Sequence, residues 1–295
     1  MRNHARNEAP RPARSWAKGC DRRAFLGRSL AVAASMSTAA RAVSAHALAE
    51  SQSPFQAVEI NHLALDTPDN DGAVAFYENQ FGMTNVSHGR VLRDTFLHFA
   101  HGFLNTGAAM SAGMNHFCLG IENFTPDDVF RRLESLGLKP FRMGGGPLVH
   151  VHDPDGLNLQ IQEIAHGYGR TPASQLTRAK TGLFETDHIH HVSIGSTDVP
   201  RSRDFYVKMF GLSPAEGGDD QHCVLRLKQG FVEFRKADRP RIDHFCLAVR
   251  PFDADEAAAK LKEAKIEVVA TDEPRVIMMR DANGLLVQAL PIENA

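Results

Sequence analysis

The chain has 295 residues, of which 43% are hydrophobic and 23% charged, with a formal net charge of −2. That length suggests two domains, and so small a net charge gives no reason to expect nucleic acid or an anionic membrane as a partner. One tryptophan and three tyrosines also leave little surface for base stacking.

Residues 1–47 pass from basic and polar to small and apolar and end on Ala45-His46-Ala47, the layout of an export signal. The apolar part, Ser29 to Ala40, is well short of the roughly 20 residues of a membrane span. Just before that apolar part, the stretch DRRAFLG (21–27), with Arg22 and Arg23, resembles the twin-arginine signal. The expectation is export to the periplasm or beyond, with no stable membrane span after the signal is removed. Cys20 lies in that signal, and Cys118, Cys223 and Cys246 are too few and too scattered for a disulfide framework.

After the signal, INHLALDT (60–67) alternates as a strand does, and AVAFYENQF (73–81) places Val74, Tyr77 and Phe81 near one helical face. A further strand follows around GFLN. The next unit opens on the strand NHFCLGIEN and continues into the helix TPDDVFRRLESLGL, with Pro126 at its start and Gly137 at its end. The strands LVHVHD and GLNLQIQEI close that unit across the turn Asp153-Pro154-Asp155-Gly156. A polar, aperiodic connector follows at 167–186.

The pattern then repeats. HFCLGI at 116–121 returns as HFCLAV at 244–249, GFLN as GFVE, and DPDGLNLQ as DANGLLVQ. INHLALDTPD returns as IHHVSIGSTD, and the helix containing Phe76-Tyr77 as the one containing Phe205-Tyr206. Five anchors in register make the chain a tandem duplication, with one copy at 57–166 and another at 187–292. Each copy reads as two βαβββ-like halves, an α+β fold with four modules in two domains.

Alternate residues of a strand share a face. Phe117, Leu119 and Ile121 are core-facing, while His116, Cys118 and Gly120 lie opposite. Leu157, Leu159 and Ile161 face the core, with Asn158, Gln160 and Gln162 opposite. His150 and His152 share a side opposite Val149 and Val151. One sheet face is therefore oily and the other lined with polar groups. Cys118 and Cys246 fall on the polar side but read as small buried hydrophobes. His188 and His190 neighbour His191, and a one-residue slip of register would exchange His190 for it.

The four histidine-led strands and the paired DPDG/DANG endings resemble the vicinal oxygen chelate superfamily, which includes glyoxalase I, extradiol ring-cleaving dioxygenases and bleomycin- and fosfomycin-resistance proteins. The resemblance covers essentially everything after residue 57. It implies that two βαβββ modules curl into a cup with a divalent metal on its floor, and that four modules make two cups. It also implies that the carboxyl-terminal cup is the working one, as in the extradiol enzymes. Carried over by position, the second cup offers His191, Glu233, His244 and Gln288, a set suited to iron, manganese, zinc or nickel with open coordination positions. The first offers His62, Asn105, His116 and Gln160, which lack a carboxylate, with His150 and His152 as candidates to join them. Extradiol enzymes place a glutamate where Gln288 stands, so ring cleavage does not follow from the motif.

Two functions fit. One is a metal-dependent enzyme, dioxygenase-like or glyoxalase/lyase-like, acting on a small molecule with adjacent oxygens. The other is a metal-free binding protein that sequesters a small molecule, favoured by the neutral side chains at Asn105, Gln160 and Gln288.

Overall fold

A computed structural model of the protein describes residues 53–86, 94–143, 146–164 and 182–292. Residues 1–47, expected to be an export signal, and most of the expected connector lie outside these residues. The first module runs β1 (Ala57–Thr67), α1 (Asn70–Phe81), β2 (Thr84–Asn85), β3 (Asp94–Phe99) and β4 (Gly102–Ala108). The second runs β5 (Gly113–Ile121), α2 (Pro126–Ser135), β6 (Phe141–Arg142), β7 (Val149–His152) and β8 (Asn158–Glu163). The third comprises β9 (Glu185–Ser196), α3 (Val199–Phe210), β10 (Ser213–Pro214), β11 (His222–Arg226) and β12 (Phe231–Lys236). The fourth comprises β13 (Arg241–Arg250), α4 (Ala254–Glu263), β14 (Val268–Val269), β15 (Ile277–Arg280) and β16 (Leu286–Pro291). All four have the βαβββ order that the repeats imply.

Modules one and two share an eight-stranded sheet ordered β2-β3-β4-β1-β5-β8-β7-β6, and modules three and four share another ordered β10-β11-β12-β9-β13-β16-β15-β14. In each, the first strands of the two modules pair antiparallel at the centre and each pairs parallel with the last strand of its own module. This arrangement brings the histidine-led strands side by side and places the Gln160 and Gln288 strands next to them. Glu185 and Thr186, read as the end of the connector, already belong to β9, where they pair with Arg250 and Val249. A polar Glu-Thr pair carries no alternation that would mark it as strand.

The helices form for local reasons. Asp69 caps α1 by accepting from the Gly72 N–H, and the helix ends at Gly82 in the left-handed conformation. α3 repeats this with Asp198 and Gly211. The apolar strand faces, including Phe117, Leu119, Phe245 and Leu247, are buried in the core beneath the helices.

The two sheets are clasped reciprocally. The Tyr77 hydroxyl on α1 donates to Asp281 Oδ2 at 3.0 Å, and the Tyr206 hydroxyl on α3 donates to Asp153 Oδ2 at 3.2 Å. Each aspartate opens the turn before the closing strand of the other sheet. Its second oxygen accepts two backbone N–H groups of that turn, from Asp155 and Leu157 or from Asn283 and Leu285. Next to each clasp the turn also grips the start of the opposite helix. Asp155 binds Ser196, Thr197 and Arg201, and Asn283 exchanges two hydrogen bonds with the backbone of Asp69. The DPDG and DANG motifs are therefore structural: they tie each sheet to the other's helix.

Burial raises the Asp153 carboxyl to about 6, against the lowering effect of the Leu157 N–H and the Tyr206 hydroxyl. A carboxyl raised above its unfolded value is protonated first in the folded state. Its contribution to stability is thus fully present below 3.8 and is lost as pH rises through about 6. In Asp153→Asn, the amide oxygen can accept the turn N–H groups while the NH2 donates to Tyr206. Urea unfolding at pH 4 and pH 7 should show the variant's pH dependence reduced by on the order of 3 kcal/mol. An unchanged profile would locate the proton on another group.

Candidate functional site

A cavity of about 370 Å³ opens in the polar face of the first sheet. His62, His116, His150 and Gln160 line it, on β1, β5, β7 and β8 respectively. The rings of His62 and His116 meet edge to face at 5.6 Å between centroids, and those of His116 and His150 at 5.1 Å. Phe103 stacks on His62 at 4.3 Å and with Phe96 forms an aromatic wall. His152 does not line the cavity. It shares a side with His150, as the alternation implies, but both rings stack on Phe141 and His152 is left at the surface.

Asparagines determine which nitrogen of each ring carries its proton. Asn61 donates its NH2 to the Glu163 carbonyl, so its oxygen faces His62 Nδ1 at 2.9 Å and must accept from it. Asn115 donates to Asp66, so its oxygen accepts from His116 Nδ1 at 2.9 Å. Asn158 Oδ1 is 3.0 Å from His150 Nδ1. With the proton on Nδ1, each Nε2 presents a bare lone pair. Nε2 of His116 and of His150 are buried without a well-placed hydrogen-bond partner among the described residues. His62 Nε2 lies 3.2 Å from Gln160 Oε1, so two acceptors face each other. A cation between them, or a half-turn of the Gln160 amide, satisfies that pair. Burial keeps these rings neutral: His62 is well below its ordinary value, His116 is lowered to about 3, and His150 is lowered too.

These donors fit a divalent metal of the first row. They are neutral imidazoles oriented by outer hydrogen bonds, the usual way in which a histidine ligand is held. The Asn-His pairs at 61–62 and 115–116 were the available sequence signal for that outer layer.

The cavity mouth holds carboxylates that the ligand-position reading missed. Asp94 and Asp66 both line it, beside Asn105. Asp94 accepts a hydrogen bond from Asn105, and burial raises its carboxyl above the ordinary range. Its Oδ1 occupies the space where a side chain at Gly107 would stand, 2.8 Å from the position of a β-carbon there. Gly107 therefore permits the carboxylate. Asp94 comes from β3, a strand without a histidine motif, so spacing from the repeated anchors could not find it.

In the second cup the expected groups also converge. His191 and His244 meet edge to face at 5.6 Å, and Phe231 stacks on His191 at 4.4 Å, repeating the first cup. Gln288 is placed to hydrogen-bond His191, while Glu233 lies close enough to act on both imidazoles. Burial holds His191 down to about 3 and lowers His244. The mouth differs. Glu233 Oε1 accepts from Arg235 and from His222 Nε2, each at 2.8 Å. Burial alone would raise this carboxyl, but those donors outweigh it and hold it down to about 2. A metal ion would therefore have to compete with a guanidinium for Glu233. Opposite His150 in the first cup, the second has Met278, since both pair with the glutamine strand at the same register. The first cup's imidazoles face no such competing ion pair, although among the described residues the group of three histidine and cysteine donor atoms within 4.8 Å of one another lies in the second, at His190, His191 and Cys246.

In metal-stripped protein at pH 7, proton–nitrogen spectra of the ring nitrogens should show His62 and His116 as Nδ1–H tautomers. Acidification to pH 5 should leave His116 neutral, because burial holds it at about 3. A protonated Nε2 on either ring would remove the open lone pairs.

Residues 188–289 match the family model described as Glyoxalase/Bleomycin resistance protein/Dioxygenase superfamily. A search of curated protein sequences found no match. Among solved structures, the chain is similar to the 2,3-dioxygenase LapB from Pseudomonas sp. KL28 at 13% identity and a TM-score of 0.64, covering 80% of this chain and 93% of that one. It is similar to the Mn(II)-bound glyoxalase from Novosphingobium aromaticivorans at 17% identity and a TM-score of 0.62, covering 80% and 83%. It also resembles homoprotocatechuate 2,3-dioxygenase from Arthrobacter globiformis at 18% identity and a TM-score of 0.62, covering 81% of each chain. No described helix is long and apolar enough to cross a membrane. The chain therefore has the glyoxalase/extradiol dioxygenase fold, and its second half matches that superfamily by sequence.

Proposed function

We propose that this protein is a divalent-metal-dependent enzyme, dioxygenase-like or glyoxalase-like, that acts in its first cup on a small molecule with two neighbouring oxygens. The observation that carries this reading is the set of neutral imidazoles, His62, His116 and His150, whose unprotonated Nε2 atoms border one cavity. The metal-containing glyoxalase and the dioxygenases among the structural neighbours lend it support. A divalent ion held by His62, His116 and Gln160, with His150 beside them, would act as a Lewis acid and orient both substrate oxygens.

The remaining tasks fall to side chains of this chain. Phe96 and Phe103, their rings tilted by 55° to one another, offer an apolar flank for the body of the substrate, and Leu148 and Met143 add to the apolar lining. Asp94, half-buried and with its carboxyl raised, is suited to take a proton from a substrate hydroxyl at the mouth. Asn105 donates to Asp94 and fixes its orientation.

A second reading is a metal-free binder, favoured by neutral Asn105 and Gln160 at ligand positions and by a cavity already lined with acceptors for a hydroxyl-rich compound. Elemental analysis of full-chain protein made in minimal medium separates the two. Near-stoichiometric divalent metal is expected, lost in the His62→Ala/His116→Ala double variant and retained in Glu233→Gln. Metal-free protein whose melting temperature does not respond to added iron, manganese, zinc or nickel would leave the binder.

The proposal includes export before the protein acts, which rests on residues 1–47. Replacing Arg22 and Arg23 with lysine should retain the full-length protein in the cytoplasm, as measured by cell fractionation. Undiminished export of that variant would reject the twin-arginine route.

A further inference from the structure

The two cups differ at one position in their floors in a way that the proposed first-cup chemistry does not use. Both central strands carry a shift in register beside the first histidine: between Ile60 and His62 in β1, and between Ile189 and His191 in β9. The shift brings the intervening side chain round to Nδ1 of that histidine. In the first cup this neighbour is Asn61, a plain acceptor for His62. In the second it is His190, whose Nδ1 lies 2.9 Å from Nδ1 of His191.

Cys246 lies directly across from His191 in the β9–β13 pairing, and across from Gln288 in the β13–β16 pairing. One ring nitrogen of each histidine and the sulfur of Cys246 all lie within 4.8 Å of one another. The first cup has the matching cysteine, Cys118 opposite His62, but Asn61 instead of a second imidazole. An asparagine alone is enough to orient the inherited histidine. The exchange for histidine adds a second nitrogen donor next to a thiol.

We propose that His190, His191 and Cys246 form a three-coordinate site for monovalent copper in the floor of the second cup. Two imidazoles and a thiolate are a soft trigonal donor set, which favours Cu(I) over harder ions. The charge balance points the same way. Cys246 and His191 are buried and His190 is only partly exposed. One thiolate with Cu(I) is neutral overall, whereas a divalent ion would leave a net positive charge out of water. On binding, the S–H bond of Cys246 breaks, a sulfur–copper bond forms and the proton leaves to solvent. No electron is transferred.

The site does not depend on the function proposed for the first cup, and its test does not read activity. Full-chain protein is titrated anaerobically with Cu(I) against a bathocuproine-type chelator. Wild type is expected to withdraw one equivalent with an ultraviolet thiolate-to-copper band and to release one proton per ion. His190→Asn, which installs the first cup's own residue, and Cys246→Ser are each expected to weaken binding by roughly 100-fold or more. Cys118→Ser should leave binding unchanged. Far-ultraviolet circular dichroism confirms that each variant is folded, and His190→Asn carries the test if Cys246→Ser is not. Failure of wild type to compete for Cu(I), or copper binding unaffected by His190→Asn, would overturn the site. So would equal loss of binding in Cys118→Ser.

Discussion

The structure depends on a reciprocal clasp in which each sheet's closing turn is held by the other sheet's helix. Tyr77 reaches Asp281 and Tyr206 reaches Asp153, and the same aspartates organise the turns that launch β16 and β8. Those strands carry Gln288 and Gln160 into the cup floors. A cup is thus not built by its own half of the chain alone. Loosening a clasp would leave a buried carboxylate without its donor, at a cost of about 1–3 kcal/mol, and would free the turn that sets the register of the glutamine strand.

On this shared frame the two cups have diverged at the mouth more than at the floor. The stacked Phe-His pair and the crossed imidazoles recur almost unchanged, at 4.3 and 4.4 Å and at 5.6 Å in both. Around them the charges are reversed. The first cup sets a carboxylate, Asp94, beside a neutral Asn105 and leaves room for it over Gly107. The second sets a carboxylate at the inherited ligand position and answers it with Arg235 and His222. In the β-sheet pairing, Asp94 lies opposite Gly107 as His222 lies opposite Arg235. Three neighbouring positions, Asp94/His222, Asn105/Glu233 and Gly107/Arg235, therefore decide whether a cup presents an available base or a closed ion pair.

A family pattern favours the second cup, because it alone keeps a glutamate among its four ligand positions. The physical environment favours the first. A buried carboxylate that already accepts from a guanidinium has its charge balanced, whereas the buried Nε2 atoms of His116 and His150 lack a well-placed partner among the described residues and are costly until something meets them. A motif records only which residue stands at a position, not whether that residue is already engaged.

The amino-acid sequence alone determined the duplication, the α+β modules and the polar face of each sheet, because these follow from periodicity and from anchors repeated in register. It also brought His62, His116 and Gln160, and their partners His191, His244 and Gln288, into view as two converging sets. Only the tertiary structure decided that Asp94 enters the first cavity, that His152 does not, and that Glu233 is held by Arg235. It also decided that the DPDG aspartates clasp the opposite helices rather than merely turn the chain. The reason is physical: alternation fixes the face on which a side chain emerges, but hydrogen-bond partners and charge balance depend on strands and helices far apart in the chain. Where Asn61, Asn115 and Asn158 place the imidazole protons, no repeat length or spacing could have shown it.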